Sequence, residues 1–303
     1  MRRIITIFLV LFLLFPLCSR AEITKMIGRV KGCYNFWLYQ PNGVTASPKL
    51  VSETSEDVDI YEELDLTGGG FIPAGCEEPV EEQIANEFTE AQDSGLKPLV
   101  VFLHGRSLCG NNLNKVLKYG TIAAVKMGLK LDAYAIAPQN PGEAWKPDKI
   151  AKIIDWVSER YAIDTDRIYV LGMSLGGFGT IDFVAAYPEK VAAAIAMCGG
   201  GYEKDLSGLN EVPLWILHGT ADAAVSVNES RKVKRAMEAA GETPLLRYDE
   251  WKGANHSVYA RMFYHPKAYQ WLFKHNLQVR EVDRTISITN NDLKNAYRLA
   301  RQR

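Results

Sequence analysis

From Pro98 onward the chain alternates short, almost wholly apolar runs with amphipathic stretches, and this rhythm constrains the fold more than any other feature. The runs are PLVVFLHG, YAIAPQ, RIYVLGMS, VAAAIAMCGG and PLWILHG, followed by PLLRYDEW. They are too apolar for a sheet with one wet face, and strands buried on both faces need helices on both faces. Between them, KIAKIIDWVSERY sets Ile150, Ile153, Ile154, Val157 and Tyr161 at helical spacing, and NESRKVKRAMEAAG has a polar start with Gly241 at its end. PKAYQWLFKHN reads as a last core-packing helix, and TNNDLKNAYRLARQR as a helix capped by Asn290 or Asn291. The pattern predicts an α/β fold, a mostly parallel sheet flanked by helices, with PLLRYDEW as an edge strand.

Ahead of this core, CYNFWLYQP reads as a strand, and Asn42 to Lys97 forms a polar, acidic excursion with one short helix near residues 81–92. The N-terminus carries two arginines, an apolar run from Ile4 to Leu17, and the small residues Ser19 and Ala21, which together read as a secretory signal peptide cleaved before Glu22. That run falls short of the about 20 apolar residues of a membrane span. A retained anchor and a lipid-carrying Cys18 are the alternatives. Loss of Cys18 leaves Cys33, Cys76, Cys109 and Cys198 in an exported chain, where three pairings are open. Cys33 with Cys76 is favoured, since both lie in the irregular part, and Cys198 at the end of an apolar strand reads as a buried free thiol. With 35 basic and 36 acidic residues, the chain lacks the cationic excess of a nucleic-acid binder.

LGMSLGGFG places Ser174 between Gly172 and Gly176 in a G-x-S-x-G pattern, with a strand before it and a helix after it. A serine hydroxyl attacks poorly at neutral pH unless a base takes its proton and a third group orients that base. Asp222 stands just past the strand PLWILHG, where catalytic groups of open α/β sheets collect. His256 follows in the loop after PLLRYDEW. Asp249 is the reserve acid. Of the other histidines, His104 and His218 precede glycines at strand ends and shape their loops, while His265 and His275 flank the last helix at its solvated ends.

The chain order Ser174, Asp222, His256, with VVFLHGRSLCGNN, AIAPQNPGEAW, HGTADAAVSV and ANHSVY, resembles the α/β-hydrolase superfamily from Pro98 to about His275. Within it the segments are similar to secreted serine esterases of the phospholipase/carboxylesterase, feruloyl-esterase and polyhydroxybutyrate-depolymerase-like groups. The resemblance implies the α/β-hydrolase fold, with Ser174 as nucleophile, His256 as base and Asp222 as orienting acid. It also implies an oxyanion hole from the Leu175 and Arg106 backbone N–H groups, each worth roughly 3 to 4 kcal/mol to the transition state. Trp145 either stacks on an aromatic acyl group or sugar face or serves as packing. The loops 106–114 and 139–146, and the 42–97 excursion, are expected to size the pocket.

The chain divides on this reading into a signal peptide (1–21), N-terminal strands with the acidic insertion packed on the core (22–97), an α/β-hydrolase catalytic core (98–280) and a C-terminal appendage (281–303). The expected activity is that of an exported serine hydrolase, periplasmic or extracellular, cleaving carboxylic esters through an acyl-enzyme. Its expected partner is a small-molecule or polysaccharide ester, such as acetyl or feruloyl groups on plant polysaccharide, with no nucleic acid and no membrane span after signal cleavage. No metal-ligand spacing and no cofactor motif is found, so no metal or cofactor is expected. The rival readings are a prolyl oligopeptidase-like peptidase and a non-catalytic binding protein that keeps the fold.

Overall fold

The computed structural model describes residues 20–44 and 95–301. The expected signal segment with Cys18, the helix expected at 81–92, and Cys76 lie outside the described residues.

The apolar runs become one sheet. β3 (Lys97–Leu103), β4 (Tyr134–Pro138), β5 (Ile163–Met173), β6 (Ala193–Met197), β7 (Leu214–Gly219) and β8 (Leu246–Trp251) pair in parallel. β1 (Glu22–Met26) and β2 (Phe36–Gln40) extend the β4 side as an antiparallel ribbon, giving the order β1-β2-β4-β3-β5-β6-β7-β8. The half-polar β8 takes the far edge, as its sequence requires. β1 has no counterpart in the sequence reading, because its five residues make no distinctive pattern.

Alternate residues of the central strands feed two cores. Val100, Phe102, Tyr169, Leu171, Trp215 and Leu217 face the layer that holds α1 (Thr121–Met127), α5 (Pro266–Phe273) and α6 (Ala296–Ala300). Leu99, Val101, Ile168, Val170, Leu214 and Ile216 face α2 (Pro147–Arg160), α3 (Leu175–Ala186) and α4 (Val227–Ala240). Helices therefore cover both faces, the arrangement a doubly apolar parallel sheet demands. α2 contributes Ile150, Ile153, Ile154 and Val157, the stripe expected from its spacing.

Two features position the site. The chain leaves β3 for β4 on one side and then returns to β5 on the other, so the winding reverses at β3 and opens a crevice at the strands' C-terminal ends. α3 packs backbone against backbone over that crevice. A Cβ on Gly176 would stand 1.8 Å from the Leu103 carbonyl oxygen, and one on Gly172 would stand 2.2 Å from the Gly176 carbonyl oxygen. Neither contact can be relieved by a rotamer, because both partners are backbone.

The C-terminal residues depart from expectation. Asn291 stands at the N-cap of the Asp292–Asn295 turn, as expected, but its side chain makes no capping bond; Thr289 makes the contacts, its N–H and hydroxyl each reaching Asp292 Oδ2 at 2.8 Å and the Asp292 N–H returning to Thr289 Oγ1 at 3.3 Å. This reciprocal box needs an acceptor three residues on. Asn290 and Asn291 have Leu293 and Lys294 there instead. His265 and His275 are buried rather than solvated. His265 Nδ1 accepts from Lys267 N–H at 3.2 Å, and His275 Nε2 accepts from Asp283 N–H at 3.1 Å. The chain beyond residue 280 folds back over this end of the sheet, with Leu293, Ala296 and Ala300 in the core. Arg280 donates to the Glu211 carbonyl at 2.7 Å and Arg284 to that of Leu246 at 3.1 Å.

Among the described residues Cys33 is a free thiol, packed half-buried against the α2-side core, and its favoured partner Cys76 lies outside them. Cys109 and Cys198 are also free, with Cys198 fully buried as its strand-end position suggests. Among the described residues no helix is long and apolar enough to cross a membrane.

Candidate active site

Ser174 occupies the turn between β5 and α3 with φ 59° and ψ −124°. A left-handed φ at a residue with a Cβ is costly and persists only where the surroundings over-determine it. Here they do: Ser174 N–H donates to the Met197 carbonyl at 2.9 Å, and its own carbonyl accepts from Phe178 N–H at 3.0 Å. The elbow sets Ser174 in the wall of a cavity of about 710 Å³ at the C-terminal ends of the strands.

Arg106, opening the short turn Arg106–Leu108 after β3, and Leu175, opening α3, line the same cavity. Neither backbone N–H has a hydrogen-bond partner among the described residues. Unpaired N–H groups at a helix start suit a developing negative charge. The loop that carries Arg106 is fastened from behind. Gly105 N–H donates to Tyr119 Oη at 3.0 Å, Asn140 N–H to His104 Nε2 at 3.0 Å, and Gln139 Nε2 to the Leu108 carbonyl at 2.8 Å. His104 Nδ1 lies 2.8 Å from the Gly105 carbonyl, which fixes the neutral tautomer that donates there. Burial pushes the His104 ring down to about 4.

Asp222 and His256 meet. His256, first residue of the 3-10 segment His256–Tyr264, sets Nδ1 2.7 Å from Asp222 Oδ2, and the carboxylate has no exposed surface. Asp222 Oδ1 accepts from the Ala224 and Val225 N–H groups at 2.9 Å each. Burial pushes this carboxyl up, but the Val225 N–H, the His256 ring and the Ala224 N–H outweigh it and hold it below the usual value. An ionised Asp222 requires the hydrogen on His256 Nδ1 and leaves Nε2 as the free basic atom. His256 and Ser174 line one cavity without a hydrogen bond between them, a gap that substrate binding commonly closes.

The structure thus gathers Ser174, Asp222, His256, Leu175 and Arg106 at one place. It leaves out Trp145, which lies under the site at 2% exposure. Its indole donates to the His104 carbonyl at 3.3 Å and its ring meets Tyr34 and His104 edge-on, so it is packing and cannot reach a substrate. The 139–146 loop likewise supports the Arg106 loop rather than lining the cavity. Asp249 receives the Trp215 indole N–H at 2.7 Å and the Arg247 guanidinium at 3.1 Å, which commits it to the β8 edge.

The cavity walls that sequence reading missed are Tyr119, Phe178, Tyr202 and Glu229. Phe178 and Tyr202 stack with centroids 4.6 Å apart, and Tyr202 stays 56% exposed. Asp182, a buried carboxylate on α3 whose pKa is pushed up by burial, accepts from the Tyr202 and Glu203 N–H groups at 2.7 and 3.1 Å and fixes that loop. Phe178 stood inside the quoted serine motif, four residues on, where a helix presents the same face as its start. Tyr202 follows the end of β6, one of the sheet ends where ligands bind.

Among the described residues, Cys198, Asp222 and His256 bring a thiol, a carboxylate and a ring nitrogen within 4.8 Å of one another. Such a set does not suit a metal here. The carboxylate is already bonded to two N–H groups and a ring, and burial pushes the Cys198 thiol well up, whereas a metal takes the thiolate.

A mostly parallel sheet wrapped by helices, with a strained serine at the strand-to-helix turn, is the α/β-hydrolase fold, which the chain shares with solved esterases. Within it, residues 136–272 match the Dienelactone hydrolase family. A bifunctional acetylxylan esterase/xylanase of Neocallimastix patriciarum is 30% identical over 80 residues, 26% of this chain and 12% of that protein. A poly(3-hydroxyalkanoate) depolymerase C of Paucimonas lemoignei is 31% identical over 94 residues, 31% of this chain and 19% of that protein. The crystal structure of a thermostable esterase superposes with a TM-score of 0.50 at 27% identity, over 60% of this chain and 55% of that one. The chain therefore spans less than a fifth of either curated relative and about half of the solved esterase.

Proposed function

We propose that the chain is an exported serine hydrolase that cleaves carboxylic esters through an acyl-enzyme. The observation that carries this reading is the Asp222–His256 bond of 2.7 Å at the rim of the cavity that Ser174 lines. His256 Nε2 takes the Ser174 proton, Ser174 Oγ attacks the ester carbonyl, and the Leu175 and Arg106 N–H groups hold the oxyanion. His256 then protonates the leaving alcohol, and water repeats the sequence with His256 again as base. Asp222 keeps the imidazole in the working tautomer. The esterase relatives support the ester bond as the target, and export rests on the N-terminal sequence.

The proposed substrate class is an acylated sugar, carrying acetyl or feruloyl groups. The exposed Tyr202 face, stacked on Phe178 and bordered by the Glu229 carboxylate, supports this, since it offers a flat apolar platform with an acceptor beside it. Hydrolysis of nitrophenyl acetate and butyrate by the protein and by Ser174→Ala tests the chemistry. A loss of several orders of magnitude is expected; equal rates remove the reading. An acylated-sugar panel set against proline peptides then separates esterase from peptidase.

A further inference from the structure

One buried histidine beside the site makes contacts that a neutral ring does not satisfy. His218, at the end of β7, has no exposed surface. Its Nδ1 lies 2.7 Å from Ser230 Oγ, and its Nε2 lies 3.0 Å from the Val225 carbonyl and 3.4 Å from Asp222 Oδ2. Ser230 Oγ in turn lies 2.7 Å from the Gly199 carbonyl. A hydroxyl has one proton and a carbonyl has none to give, so that short contact places the Ser230 hydrogen on the Gly199 side. Ser230 then accepts from His218, and Nδ1 must carry a hydrogen. Nε2 faces a carbonyl and a carboxylate, both acceptors, and must carry one too.

We propose that His218 is a buried imidazolium that shares Asp222 with His256, a positioning residue that holds the acid ionised and in place. Its kinetic consequence rests on the esterase reading; the proton count does not. Burial is the largest influence and holds the ring below the usual histidine value despite the Val225 carbonyl and the Asp222 carboxylate, so the case for the cation stands on the hydrogen-bond contacts against that direction. The contacts decide, because a neutral ring protonated at Nε2 leaves the Ser230 and Gly199 oxygens 2.7 Å apart with no hydrogen between them, and one protonated at Nδ1 leaves Nε2 bare 3.0 Å from the Val225 carbonyl oxygen. Of the charged or titratable groups around the ring, Asp222 favours the cation and His256 opposes it, and Glu250 stands opposite the ring in the β7–β8 register, paired with Arg231 of α4.

The test is nitrogen-15 NMR of the labelled Ser174→Ala protein, at a pH one unit or more above the ordinary histidine value of about 6.5. Two ring N–H protons on His218 are expected, assigned by their absence in His218→Gln or, if that variant does not fold, by through-bond correlation to the ring carbons. A single ring N–H overturns the proposal. In the active protein, His218→Gln removes a positive charge beside the pair that must lose its proton, so the acid limb of kcat/KM moves to higher pH by about one unit, a tenfold change in proton affinity. An unmoved limb overturns the positioning role. A chain that turns over no ester fails the esterase reading while the ring count still stands or falls by itself.

Discussion

Leu103-His104-Gly105 and Leu217-His218-Gly219 are the same tripeptide, each closing a parallel strand at its C-terminal end, and both histidines are fully buried. Their surroundings differ. His104 meets one donor, the Asn140 N–H, and one acceptor, the Gly105 carbonyl, which together suit a neutral ring. His218 meets a hydroxyl already committed elsewhere, a carbonyl and a carboxylate. The glycines differ as well. A Cβ on Gly105 would stand 3.1 Å from Tyr119 Oη, whereas on Gly219 it would stand 2.1 Å from the Ala254 carbonyl oxygen. Identical local sequence thus gives a support for the candidate oxyanion loop at one strand end and a support for the candidate acid at the other. Segments distant in the chain make the difference.

The largest expected effect separates the two ends chemically. Asp222→Asn should lower kcat for nitrophenyl acetate by about 10⁴-fold, because the amide stabilises the wrong tautomer of His256. A loss below about tenfold would sever the acid end from the chemistry. Next come the glycines. Gly219→Ala forces backbone apart near His256 and should cost about 3 kcal/mol in urea unfolding, while Gly105→Ala, in ordinary extended backbone, should cost about 1 kcal/mol. Equal costs would erase the contrast.

The histidines themselves give a pH test of comparable size. The unfolded chain protonates His104 near 6.5 and the folded chain only near about 4. The stability this neutral ring contributes is therefore present above pH 6.5 and is lost as pH falls through 4, by about 3 kcal/mol. His104→Gln should flatten the stability profile across that window; an unchanged slope assigns the effect to other groups. The smallest effect belongs to Tyr119→Phe, which leaves the Gly105 N–H without its acceptor and lets the Arg106 loop drift. About a tenfold loss in kcat with little change in KM is expected from steady-state kinetics.

Much of the fold was legible because a doubly buried parallel strand and an amphipathic helix each leave a periodic trace. The stripe of α2 and the edge position of β8 follow from composition alone. β1 was not legible, since five residues carry no period of their own, and its place comes from pairing with β2. The ends of α5 were misread as wet because nothing local reveals that residues 281–301 return to bury His265 and His275. Trp145 was open to two readings, and only its burial beneath the cavity decided for packing.

For the candidate site, the chain by itself determined which residue types could act and in what order: a serine in a glycine turn, then an acid past one strand, then a histidine past the next. Motif and strand-end position are local properties, so they survive in one dimension. Tertiary structure decided what stands around them. The Phe178–Tyr202 platform, the fastening of the Arg106 loop by Tyr119 and Asn140, and the contact of His218 with Asp222 all join separate elements of the sheet. Hydrogen-bond partners and protonation depend on which groups the fold brings within about 3 Å, and periodicity does not encode that distance.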